Sequence, residues 1–336
     1  MKIAIVTFHD ANNYGAVLQC HALAKTLNSL GHEVELADLP LHGKASNFRA
    51  GLRAKVLASA FSHFRVNFLP KVSKSDDGID TYVFGSDQIW NVQITKEHYH
   101  LYFGAEVSPE IMKVAYAASY GLATWDFPEY TNNVKSYLGS FKAIGVREST
   151  AVDICKDVFD VTSQKVVDPT LLLTDYSHLF TPRKKVGSLV CYIFGKTPEK
   201  MQQIRRLGTA SSLKPILLSD LRVRKGIKSV PFPTVSKWLS YIEASEFVLT
   251  DSFHCMVFSI LFKKNFIAIP AVPERAGRMK SLLNDLGLES RFFNSLEEAL
   301  QSNVVSENID FDKVAERIGT LREDSLVFLK KSLENN

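Results

Sequence analysis

The sequence predicts an α/β protein built from two Rossmann-like domains. Three observations carry this. Short apolar runs alternate with amphipathic helical segments, the alternation is interrupted once near the middle, and 336 residues exceed what one small core organises and suit two domains of roughly 150 residues each. In chain order, KIAIVTF is a β run, AVLQCHALAKTLNSLG repeats its apolar residues at helical spacing and is closed by Gly31, and HEVELADL is a second strand, completing a βαβ unit. Further strands are expected in DTYVFGS (80–86), KVAYAASYG (113–121), KAIGVRE (142–148) and KVVDPTLLL (165–173). The break falls at TPRKKVGS (181–188), where Pro, Gly and a basic cluster interrupt the pattern. SLVCYIF, a helix from Pro198, PILLSD, a helix around SKWLSYIEAS, FVLTD, a helix from Phe253 and NFIAIP then repeat it. The expected domains are 1–182 and 183–336, with the C-terminal helical segment packing back across them.

Composition narrows the function classes. Apolar residues at 46% and charged residues at 23% suit ordinary folded cores. No run approaches the roughly 18 apolar residues of a membrane span, and MKIAIVTF enters a strand without a signal peptide, so a cytoplasmic location is expected. Cys20, Cys155, Cys191 and Cys255 lack paired spacing and are expected as buried thiols. No metal or cofactor is expected, because Asp76 with Asp77 and His98 with His100 have no further ligands in view.

The net charge of +4 is unevenly spread: residues 41–75 contain no acid and seven cations, Lys44, Arg49, Arg53, Lys55, Arg65, Lys71 and Lys74. Val56, Leu57, Ala60, Phe61 and Phe64 recur there at helical spacing. This basic helical insertion is either a solvated face or a surface for anionic membrane lipid, at the inner face of the membrane, or for a diphosphate-bearing acceptor. No motif supports nucleic-acid binding.

In open α/β sheets ligands gather at the carboxyl ends of the strands. The candidates there are HDANNYGA (9–16), GSDQIWN (85–91), ASYG (118–121) and Arg147 in the first half, and Gly195 with Lys196, Ser219 with Asp220, and DSFH (251–254) in the second. Neither a GxGxxG after the first strand nor a Walker pattern is present, which argues against dinucleotide and P-loop chemistry. Ser252 is a natural N-cap, placing Phe253 and His254 in a first helical turn whose free amides suit an anion.

The ordered set NNYGAVLQ, VFGSDQIWN, YAASYG, VREST, VVDPTLLL, EFVLTDSFHCMVFSILFKKNFIAI and GRMKSLLNDLGLESR resembles the polysaccharide pyruvyltransferase family, over about residues 1–291. Cys255 departs from it, standing where a glycine is usual. The resemblance implies a GT-B-like fold, two Rossmann-like domains facing across a cleft. It also implies transfer of the enolpyruvyl group of phosphoenolpyruvate to two sugar hydroxyls, giving a pyruvate ketal and phosphate in capsule or exopolysaccharide synthesis.

On that expectation His254 is the general acid, carrying its proton mainly in the donor complex, and Asp87 the base, with Asp251 as the other candidate. Arg147 and Arg278 would grip the donor's carboxylate and phosphate together with Ser252, Phe253 and Lys264. Asn12, Asn13, Tyr14 and Gly15 would line the acceptor side, with Trp90 as a stacking platform for the sugar. The acceptor is expected to be a lipid-linked oligosaccharide. Two other readings remain open: a GT-B glycosyltransferase using a nucleotide sugar, and a non-catalytic carbohydrate-binding scaffold of capsule assembly.

Overall fold

The computed structural model describes residues 1–39, 48–73, 75–222, 224–273 and 276–334, apart from the side chains of 48–54. The chain divides into two units, one comprising Met1–Lys44, Arg65–Leu173 and Ile318–Asn336 and the other Ala45–Phe64 and Thr174–Arg317. The passage between them thus lies at residues 173 and 174 rather than after 182, and the last helix, Phe311–Leu333, is shared between the units.

The first unit holds a parallel sheet of β1 (Lys2–Val6), β2 (Glu33–Leu36), β3 (Thr81–Phe84), β4 (Met112–Ala118), β5 (Ala143–Val146) and β6 (Gln164–Lys165), in the spatial order β2-β1-β3-β4-β5-β6. Its central strands are buried along nearly their whole length, as strands of a parallel sheet are. Ala4, Val6, Phe84, Trp90, Phe103 and Tyr120 belong to one core cluster. The helix Tyr14–Ser29 starts where Asn13 Oδ1 accepts from the Gly15 and Ala16 amides. KVVDPTLLL is not a strand through its length: Asp168 Oδ1 accepts from the Thr170 amide and turns Pro169–Leu171 into a 3-10 helix.

The second unit's parallel sheet consists of β7 (Ser188–Tyr192), β8 (Lys214–Leu218), β9 (Lys228–Val230), β10 (Phe247–Thr250) and β11 (Asn265–Ala268), ordered β11-β10-β7-β8-β9. β9 has too few residues and too little apolar patterning to be seen in the sequence. Leu189, Cys191, Leu217, Leu249 and Ile267 share its core, and each such Leu or Ile contributes about 1.5–3 kcal/mol by leaving water.

Strand order locates the sites. In the first sheet the chain leaves β1 toward β2 on one side and returns to β3 on the other, so the switch point lies between β1 and β3. In the second, β8 and β9 lie on one side of β7 and β10 and β11 on the other, so the switch point lies between β7 and β10.

The basic insertion forms the helix Phe48–Phe68. Ala60, Phe61 and Phe64 are buried as the spacing predicts, whereas Val56 is exposed. Lys44, Lys74 and the side chains of Arg49 and Arg53 lie outside the described residues. Arg65 is not part of a free basic face: its guanidinium donates to the carbonyls of His9 and Asp10 and to Asn12 Oδ1, the last two at 2.7 and 2.8 Å.

Candidate active site

At the β1/β3 switch point the segments 8–13 and 87–94 enclose a cavity of about 470 Å³, with Phe8 and Ile94 on its apolar side and Asn12, Asn13, Asp87 and Gln88 among its polar lining. Its wall is built on unusual backbone. Gly85 has φ +134°, and a Cβ there would lie 1.9 Å from the Tyr116 carbonyl oxygen, so only glycine fits. Asp87 at φ 77° and Ala117 at φ 53° also occupy left-handed conformations, and the β4/β5 register shifts between Ala115 and Ala118.

A buried polar network holds this backbone. Gln19 Nε2 donates to Thr7 Oγ1 at 2.8 Å, its Oε1 accepts from the Ser86 amide, and Thr7 Oγ1 donates to the Ser86 carbonyl. The single Ser86 Oγ–H is shared between the Ala117 carbonyl at 3.0 Å and Asp168 Oδ2 at 3.2 Å. Arg147 Nη1 donates to Asp168 Oδ2 at 2.6 Å, its Nη2 reaches Asp87 Oδ1 at 3.3 Å, and its Nε lies 3.9 Å from Glu148 Oε2. Burial pulls the Arg147 pKa down, but Asp168, Asp87 and Glu148 outweigh it and the net direction is upward. Arg147, expected as a donor ligand, therefore sits among three carboxylates, with little of its side chain open to a donor.

Of the acceptor candidates, Asn12 and Asn13 reach the cavity, Asn13 being also the helix cap. Tyr14 and Gly15 are buried in the first turn of that helix. Trp90 is corrected outright: it is fully buried, stacks on Phe103 with centroids 5.5 Å apart, and donates its Nε1–H to the Tyr102 carbonyl. It packs the core and offers no face to a sugar. Sequence reasoning missed Gln19 and Asp168 and took Arg65 for part of a basic face; only the Asp-Pro-Thr cap pattern around Asp168 was open to it.

At the β7/β10 switch point, Thr250 Oγ1 donates to the Tyr192 carbonyl at 2.8 Å and accepts from the Ser252 amide. Ser252 caps the helix Phe253–Leu261 by accepting from the Cys255 amide at 3.4 Å. His254 is buried in the first turn, its ring edge-on to Phe253 at 5.2 Å. The Arg278 guanidinium, from the helix Gly277–Leu286, lies over the Phe253 ring at 5.7 Å. Ser252, Phe253, His254 and Arg278 are thus gathered at one strand end. Asp251 accepts the Phe194 amide with both carboxylate oxygens, at 2.9 and 3.0 Å, and burial pushes its pKa up to about 6 despite those bonds.

Lys264 is elsewhere. It precedes β11, where Asn265 pairs with Phe247, at the amino ends of the strands and about 13 Å from the carboxyl edge by strand rise. Burial, reinforced by Lys185 and opposed by Glu243 and Glu246, lowers its pKa. It is corrected to a residue of the opposite edge. Among the described residues no group of three or more His, Cys, Asp or Glu is placed to hold a metal ion, and no helix is long and apolar enough to cross a membrane. The four cysteines are free and buried.

The family model described as polysaccharide pyruvyl transferase matches residues 13–270, most of the chain, taking in β7, β10 and the turn that carries His254. The chain belongs to the polysaccharide pyruvyl transferase family. No curated protein sequence matches it. Among solved structures, a Listeria monocytogenes protein whose name proposes a UDP-N-acetylglucosamine 2-epimerase is 12% identical, covering 98% of this chain and 95% of its own, with a TM-score of 0.55. Arabidopsis thaliana UGT89C1, solved with quercetin, is 11% identical over 97% of this chain and 94% of its own, with a TM-score of 0.54. At such identities these likenesses carry the fold alone, and that fold is GT-B-like with two Rossmann-like domains. For this pyruvyl transferase family member the residues at the second switch point are the ones to weigh chemically.

Proposed function

We propose that the protein moves the enolpyruvyl group of phosphoenolpyruvate onto two hydroxyls of one sugar in a polysaccharide precursor, forming a pyruvate ketal and releasing inorganic phosphate. The observation that carries this reading is the grouping of His254, Arg278 and the Ser252-capped helix start at one strand end. A small dianion suits that place, since first-turn amides and a guanidinium both favour negative charge. In the first step a sugar hydroxyl oxygen bonds to C2 of the donor while the methylene C3 takes a proton, so the C=C π pair becomes a C–H bond. In the second, another hydroxyl oxygen bonds to C2 and the C2–O bond to phosphate breaks, the phosphate leaving with the electron pair and a proton. His254 supplies the proton to C3. The hydroxyl proton passes to a carboxylate, for which Asp251, at the same strand end as His254, is the candidate within the second unit.

The test is the melting temperature with phosphoenolpyruvate against UDP-, GDP- and CDP-sugars. A ligand at 100 times its Kd stabilises by about 2.7 kcal/mol. The expected result is a shift with phosphoenolpyruvate that Arg278→Ala abolishes, and, in a complementation assay, loss of function in His254→Ala. A shift only with a nucleotide sugar moves the assignment to a glycosyltransferase. Full function in His254→Ala moves it to a scaffold.

A further inference from the structure

With Trp90 in the core, an aromatic face for a sugar has to come from another residue. Among the described side chains Phe194 is the one aromatic that is mostly exposed, at 57%. It stands two residues beyond β7, at the β7/β10 switch point where an open sheet places its ligands. A lone exposed apolar side chain means little, but this one is held in place. Its amide is clamped by both oxygens of Asp251, and its ring meets Tyr192 edge-on at 5.4 Å. Tyr192 in turn meets the buried Trp238 at 5.6 Å.

The neighbouring strand end is tied to the same loop. Lys196 Nζ donates to the Ser219 carbonyl at 2.6 Å, joining the segments after β7 and β8. Asp220 pairs with Arg224 and caps the Arg222 amide, and between them Leu221 is 61% exposed. The edge therefore carries apolar side chains with cations and a carboxylate beside them. A pyranose has that same pairing of surfaces, an apolar C–H face and a rim of hydroxyls.

We propose that Phe194 is a sugar-binding residue: the platform on which the acceptor's pyranose ring lies, beside the turn that carries His254. Asp251 links the two, since it clamps Phe194 and stands three residues ahead of His254 in the chain. The assignment of this ring as the acceptor rests on the pyruvyl-transfer reading, whereas the binding of a pyranose does not.

The experiment is saturation-transfer NMR on the full chain with methyl glycosides of glucose, galactose, mannose, N-acetylglucosamine and N-acetylmannosamine. UMP is the control for a nucleobase, and the phosphoenolpyruvate melting shift is recorded on each variant. The expected result is saturation of one ring face of at least one glycoside, reduced about fivefold or more in Phe194→Ala and retained in Phe194→Trp. Equal saturation in Phe194→Ala, no saturated glycoside, or saturation of the UMP base in place of every sugar overturns the proposal. A missing phosphoenolpyruvate shift in the wild type overturns pyruvyl transfer instead, and Phe194-dependent glycoside saturation still upholds the platform.

Discussion

The two sheets end in switch points that use charge differently. At β1/β3 the strand ends support Asp87 and the amides of Asn12 and Asn13 over a buried guanidinium engaged by three carboxylates. At β7/β10 they carry a capped helix start, a histidine and an arginine over an aromatic ring, with a carboxylate held by backbone amides. The first arrangement spends its cation on holding a strained loop. The second leaves His254 and Arg278 clustered at the strand end. A cationic residue just past a strand is therefore not by itself an anion site; what faces it decides.

Three measurements sharpen or break this comparison. The largest effect is expected for Arg147→Ala, which leaves Asp168, Asp87 and Glu148 buried without their shared cation. Breaking such a group costs about 3–5 kcal/mol, a fall in melting temperature on the order of 10 °C. A variant as stable as the wild type that no longer binds phosphoenolpyruvate would return Arg147 to the donor site.

Asp251→Asn comes next and concerns pH. The folded pKa is raised from 3.8 to about 6 by burial, so the contribution of Asp251 is fully present below 3.8 and is lost as pH rises through about 6. The wild type is expected to lose stability relative to Asp251→Asn across that window and to run parallel to it above. Parallel melting-temperature profiles throughout would mean that Asp251 is not set apart by burial. The smallest effect is expected for Ser252→Ala: loss of the cap costs about 1 kcal/mol, a shift of roughly 2–4 °C. No change in a thermal scan would mean that the long contact to the Cys255 amide contributes nothing to stability.

Part of the site was legible in the sequence because its signals are local. A Ser that caps, followed by Phe and His in the first turn, is defined by three or four consecutive residues, and the structure keeps that order at Ser252–His254. Trp90, Arg147 and Lys264 were misplaced for the converse reason. Burial, pairing and the end of the sheet a residue occupies depend on partners beyond the residue's own turn or strand: Phe103 and Tyr102 for Trp90, Asp87 and Asp168 for Arg147, the pairing of β11 with β10 for Lys264.

What the sequence determined by itself is the alternation of strand and helix, the presence of two Rossmann-like units and the helix caps, because periodicity and capping act over a few residues. The tertiary structure alone decided strand order, and with it the two switch points, the enclosure of Arg147 by carboxylates, and the exposure of Phe194 at the end of an apolar run that reads as buried strand. Those outcomes depend on which strands become neighbours, and neighbours in a parallel sheet are joined through long crossovers that leave no local mark in the chain.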